Sequence, residues 1–271
     1  MLEQAKILLK SEYEKCLDLV KEKDFYANYA NEKWVHSRQV LGAGNFIIKH
    51  EPWFYHQSAK VIEAAKTALL LHDIARFEEI KQKFLYGTKI DHGERGYEKL
   101  KKMPEYDEWL VAFAIKHHGH VKERFYEDES YKNLKDNDLR DKVEHIFWLV
   151  RDADKIANFN IVCNERKKYM QLFLPQSSEI EKKEKQITAA IIDDFYKCKT
   201  VDYSLRKTTA DYELAFLSWY FDLNYKSSVM FCKKLKLIDK MFEMLAEYSE
   251  NRELNTKLRI FLEDYLAKRF A

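Results

Sequence analysis

Apolar positions recur at spacings of three and four along nearly the whole chain, with Lys and Glu filling the intervals, a period that predicts helices and not strands. From Leu2 to about Val20 the residues Leu9, Tyr13, Cys16, Leu17 and Val20 mark one amphipathic face. A second helix is expected to include Trp34 to Leu41, with Gly42-Ala43-Gly44 loosening or bending the chain before Ile47-Ile48. Pro52 suits the first turn of the next helix, and the stretch from Trp53 to about Phe77 becomes almost wholly apolar at Ala68-Leu69-Leu70-Leu71. Residues 85–93 break the period and read as a loop, the kind of segment where functional groups sit. Helices are expected again from about Glu94 to Lys102, from Asp107 to His118 and from Leu139 to Asn158. Between them, the charged and aperiodic residues 121–138 read as a surface excursion. Beyond about residue 170, Pro175-Gln176-Ser177-Ser178 resembles a loop and N-cap ahead of a helix from Glu179 to Tyr196. Further helices are expected near 210–222, 228–248 and 251–269, and no fixed-period repeat is visible.

Composition agrees with an all-α chain, since only 6 Gly and 3 Pro punctuate 271 residues. We expect a helical bundle over residues 1–170 and a helical extension packed on it over 171–271. The 47 Lys and Arg nearly balance 45 Asp and Glu, with no segregation of sign. A polynucleotide binder shows a basic stripe or a strongly basic domain, so nucleic acid is disfavoured as the main partner. Cys16, Cys163, Cys198 and Cys232 are too far apart for a CxxC pair and read as thiols in a reducing compartment. Charge at Glu3 and Lys6 stands where a secretory leader has its apolar core, and no run approaches the roughly 18 apolar residues of a membrane span. A soluble cytoplasmic protein is the expectation.

Chemistry enters with the order of imidazoles and carboxylates. His72-Asp73 closes the apolar run; His36 lies upstream, His92 follows in Asp91-His92-Gly93, then His117-His118, and Asp154 ends the series. Asp154 continues the apolar stripe of Val143, Phe147 and Val150, so its carboxylate should point inward, where a lone charge is costly and a metal is a favourable partner. Asp152 falls off that stripe and ranks second to it. His117 and His118 each lie four residues beyond an apolar position, Phe113 and Ala114. Adjacent helical residues diverge by about 100 degrees, so the pair either serves different ions or divides the work of ligand and outer donor. His50, His56, His120 and His145 read as ordinary residues. Imidazole and carboxylate without thiolate suit divalent metals, one or two ions of Mn, Fe, Co, Ni, Zn or Mg. No GxSxG, GxxxxGK[ST] or HExxH motif competes.

These residues resemble the HD-domain superfamily of metal-dependent phosphohydrolases, whose helical core carries a His, then His-Asp, then Asp. Those positions match His36, His72-Asp73 and Asp154, and His92, His117 and His118 stand where members with a second metal add histidines. The segment from Leu71 to Glu78 also resembles a bacterial subgroup of unassigned substrate, which commonly has Gly where Ala75 stands. The resemblance implies an HD-type metal-binding domain in the first part of the chain, with Asp73 as the bridging carboxylate and a metal-activated water attacking phosphorus. Arg76, one turn after Asp73, and Lys155, beside Asp154, are the cations expected at phosphate. Arg95, Lys122 and Arg124 are further candidates near the mouth. A small phosphorylated substrate, a nucleotide or related metabolite, is the leading expectation. The alternative is a catalytically silent nucleotide-binding regulator of the same fold, and the C-terminal helices offer a homo-oligomer interface in either case.

Overall fold

A computed structural model describes residues 1–165 and 186–271, and among these every regular element is helical. Helix α1 (Leu2–Val20) buries Ala5, Leu9, Cys16 and Val20, the stripe its period defines. Helix α2 (Asp24–His50) runs without a break through Gly42 and Gly44, contrary to the expected bend. A glycine inside a helix costs about 1 kcal/mol, and here close packing compensates. A Cβ at Gly44 would come within 2.2 Å of Leu69 Cδ1, so its absence lets α2 lie against the next long helix.

The apolar stretch after Pro52 is not one helix but three. Pro52 opens the short α3 (Pro52–Tyr55). Ser58 then caps α4 (Ala59–Leu71), its hydroxyl oxygen accepting from the Val61 amide at 3.3 Å. Residues 72–75 form a turn before α5 (Arg76–Tyr86). Thus His72 and Asp73 stand at the exit of a buried helix. Leu69, Leu70 and Leu71 before them and Ile74, Ala75 and Phe77 after them are all buried.

The expected loop over 85–93 is shorter, because α6 (His92–Leu100) begins at His92 itself. Its N-cap is Asp91, whose Oδ1 accepts from the amides of Gly93 at 3.1 Å and Glu94 at 3.2 Å. Asp107 caps a π-helical segment, Glu108–Phe113, that continues as α7 (Ala114–Lys116) and ends before the paired histidines. Two short helices, α8 (Glu123–Glu127) and α9 (Glu129–Asn133), replace the expected surface excursion. They seat Phe125 and Tyr131 in the core, where Phe125 stacks on Phe147 at 4.0 Å. Single aromatic anchors in a charged segment leave no period to read. Helix α10 (Asn137–Asn164) follows.

The chain divides into two compact units, Met1–Asp154 and Lys155–Ala271. The boundary expected near 170, the loop at 175–178 and the proposed helix start at Glu179 lie outside the described residues. Of the second unit, α11 (Ala189–Tyr196), α12 (Thr209–Ser218), α13 (Lys226–Lys234), α14 (Leu237–Tyr248) and α15 (Arg252–Arg269) are described. The helix expected over 228–248 is two, parted at Lys236, which takes left-handed φ of 54°. In this unit Thr208 and Asp211 close a reciprocal cap on α12, and Phe159 stacks on Tyr220 at 4.5 Å. No helix among the described residues is long and apolar enough to cross a membrane.

Candidate metal centre

Helices α2 and α10, the turn after α4, the start of α6 and the turn after α7 bring six side chains of the first unit together. On α2, His36 lies one turn after Lys33 on the buried face. Its Nε2 is 2.8 Å from Asp154 Oδ1 on α10. His72 Nε2 is 3.7 Å from the same Asp154 oxygen and 3.6 Å from Asp73 Oδ2. The other oxygen of Asp73, Oδ1, faces His92 Nε2 at 3.3 Å and His118 Nε2 at 3.5 Å. Two ligand triads result, His36 with His72 and Asp73, and Asp73 with His92 and His118, each with its donor atoms within 4.8 Å of one another. Asp73 belongs to both.

Two of the imidazoles, His72 and His118, are oriented by their second nitrogens. His72 Nδ1–H donates to the Leu69 carbonyl at 2.9 Å, and His118 Nδ1–H donates to the Ile115 carbonyl at 2.7 Å. Both bonds reach back three residues, and both turn Nε2 toward the carboxylates, which is how a metal-binding histidine is held. His72 Nε2 is buried with no hydrogen-bond partner. Burial pushes the His72 ring down to about 4, outweighing the attraction of Asp73 and Asp154, so its lone pair is uncovered at neutral pH. Such an orphaned acceptor costs about 1–3 kcal/mol unless a cation meets it. His92 and His118 also bring Nε2 to Nε2 at 3.3 Å, a juxtaposition that a shared cation relieves. Burial, reinforced by the charge of Arg76, holds His92 well below the ordinary imidazole value.

The carboxylates are charged. Burial opposes ionisation of Asp73, but Lys33, His72 and Arg76 together hold it well below the usual carboxylate range. Burial likewise opposes Asp154, and the hydrogen bond and charge of His36 outweigh it. Lys33 Nζ lies 2.8 Å from Asp73 Oδ2. Arg76 Nε lies 3.3 Å from Asp73 Oδ1, and its Nη1 donates to the fully buried Glu79 at 2.6 Å. Four imidazoles, one of them with an orphaned Nε2, and two carboxylates are a donor set that suits a divalent cation.

The remaining candidates lie elsewhere. His117 is in neither triad; α7 has ended, and its Nε2 turns to Asp128 at 2.9 Å, which Lys116 also meets at 2.8 Å. It therefore stands outside the cluster of side chains brought together here. Lys155 pairs with Asp222 of the second unit at 2.9 Å, since one residue after Asp154 the helix has turned by about 100 degrees. Arg95, exposed, pairs with Glu78 at 2.7 Å. Lys33 was not foreseen, although it precedes His36 by one turn on the inward stripe. Nor was Asp128, hidden in a segment without period.

Residues 34–158 match the family model of the HD domain. With the fold and the geometry above, this match supports placing residues 34–158 in the HD-domain superfamily, whose members are generally metal-dependent hydrolases. No curated protein and no solved structure matches it.

Proposed function

We propose that the protein is a metal-dependent phosphohydrolase acting on a small phosphoester, a nucleotide or related phosphorylated metabolite. The observation that carries this reading is the sharing of Asp73 between two triads whose imidazoles all present Nε2. Divalent cations held there would acidify a coordinated water and neutralise phosphate oxygens. His36, His72, Asp73 and Asp154 would hold one, and Asp73, His92 and His118 the other.

The chain's own residues do the rest. Lys33 and Arg76 flank Asp73 from two helices, mostly buried but with 17% and 21% of their side chains still exposed at the edge of the centre, where they would serve as phosphate-binding cations. Glu79, fully buried, fixes the Arg76 guanidinium through Nη1 and takes Lys83 at 3.1 Å. The apolar residues packed behind His72, among them Leu69, Leu70 and Ile74, keep water from that side of the centre. No side-chain nucleophile is required.

The test pairs metal content with turnover. Protein stripped with chelator and reloaded with Mn2+ should hydrolyse phosphoesters from a panel of nucleotides and small sugar phosphates. His72→Ala and Asp73→Ala should lose both metal and turnover. Folded variants with undiminished activity would refute the reading, and tight nucleotide binding by the wild type without product release would favour a regulator instead.

A further inference from the structure

Around the second triad lies a set of polar contacts that touch no donor atom. On the side of the first triad, His36 and its neighbour Asp154 lie in helices of 27 and 28 residues, and His72 and Asp73 stand in the turn that closes the 13-residue α4. The two histidines of the second triad have no such long helix: His92 opens a helix of nine residues, and His118 lies in the turn after the short helical run from Glu108 through Lys116. Short helices have little stability of their own. The geometry of His92 and His118 must therefore be imposed by neighbours.

Three contacts do so. Asp91, the N-cap of α6, places Oδ2 2.8 Å from His120 Nε2, tying the residue before His92 to the residue two beyond His118. Gly93 packs against the Lys116 carbonyl so closely that a Cβ would come within 2.3 Å of its oxygen. Arg151 is the third. It lies on α10 one turn before Asp154, is only 4% exposed, and donates from Nη1 to the carbonyls of His118 at 2.9 Å, His120 at 2.5 Å and His117 at 3.5 Å. Buried carbonyls need donors, and here one guanidinium gathers three from the turn that carries a metal ligand.

We propose that Arg151 and the Asp91–His120 pair are the positioning residues of the second metal position, so that this position can be weakened while the first is retained. The proposal rests on the two-cation reading of the centre. It makes the second ion the adjustable one, since His92 and His118 depend on a polar clamp while His36 and Asp154 lie within long packed helices.

The test uses the full chain with Arg151→Lys, Asp91→Asn and His120→Gln. Asn at 91 keeps a capping oxygen and removes the charge that His120 meets. Metal-stripped protein is titrated with Mn2+ by calorimetry, stoichiometry is checked by elemental analysis after desalting, and circular dichroism monitors the fold. Wild type should take two ions. Each variant should keep the first at near wild-type affinity and bind the second roughly 10–100-fold more weakly, with turnover restored by excess Mn2+. Variants that bind both ions like wild type would overturn the proposal, as would equal weakening of both ions. If Arg151→Lys does not fold, the other two variants decide by the same criteria. A wild type that takes a single ion would remove the two-cation reading itself, and that outcome is visible before any variant is made.

Discussion

His72 offers Nε2 because its other nitrogen is bonded to the Leu69 carbonyl. Burial lowers the ring to about 4 from the ordinary 6.5, and His92 is lowered as well. A consequence follows for metal-stripped protein. Between those two pH values the unfolded chain binds protons that the folded chain refuses, so stability is complete above about pH 6.5 and falls as pH drops toward 4. The urea midpoint should decline across that window in chelator, and His72→Gln should flatten the decline; a level wild-type profile would contradict the burial argument. Lys33 carries the second prediction at this scale. Lys33→Met removes a charged donor of the kind worth about 1.5–3 kcal/mol, so kcat/KM should drop roughly 10–100-fold with metal content unchanged. An unaltered kcat/KM would remove Lys33 from phosphate binding. The sequence marks His72-Asp73 because the pair ends an apolar run, but Lys33 looks like any helical lysine. Lys155 misleads for the opposite reason: adjacency to Asp154 in the chain means divergence on the helix.

Elements were legible where burial is one-sided. The stripe of α1 is plain, since its outer face is mostly charged and its inner face apolar except for Glu12. Helix α2 was harder, because the two glycines that suggest a bend serve a close approach. Gly44→Ala tests this. Leu69 is fully buried and cannot swing away from a new Cβ, so overpacking should cost about 1–3 kcal/mol in urea denaturation, and an unchanged stability would mean the contact is slack. The break at residues 72–75 left no sign, since Ile74, Ala75 and Phe77 are as apolar as the helix before them. Composition reports burial there, and the turn depends on where His72 and Asp73 must face. The same limit hid α8 and α9, where Phe125 and Tyr131 are isolated anchors among charges.

On the scale of the whole molecule, the centre is an effect of convergence. Its ligands span residues 36 to 154, nearly the full extent of the matched HD domain, 34–158, and all within the first unit, Met1–Asp154. The order of the ligands was readable because the type of each residue is chemically restricted. Their division into two triads was not, because it depends on which oxygen of Asp73 faces which ring. The most direct measurement is a crystal structure of Mn2+-loaded protein with anomalous scattering recorded at the manganese edge. We expect two peaks, one among His36, His72, Asp73 and Asp154 and one among Asp73, His92 and His118, with Asp73 touching both. Peaks elsewhere, or none at a concentration that saturates the protein in solution, would contradict the account.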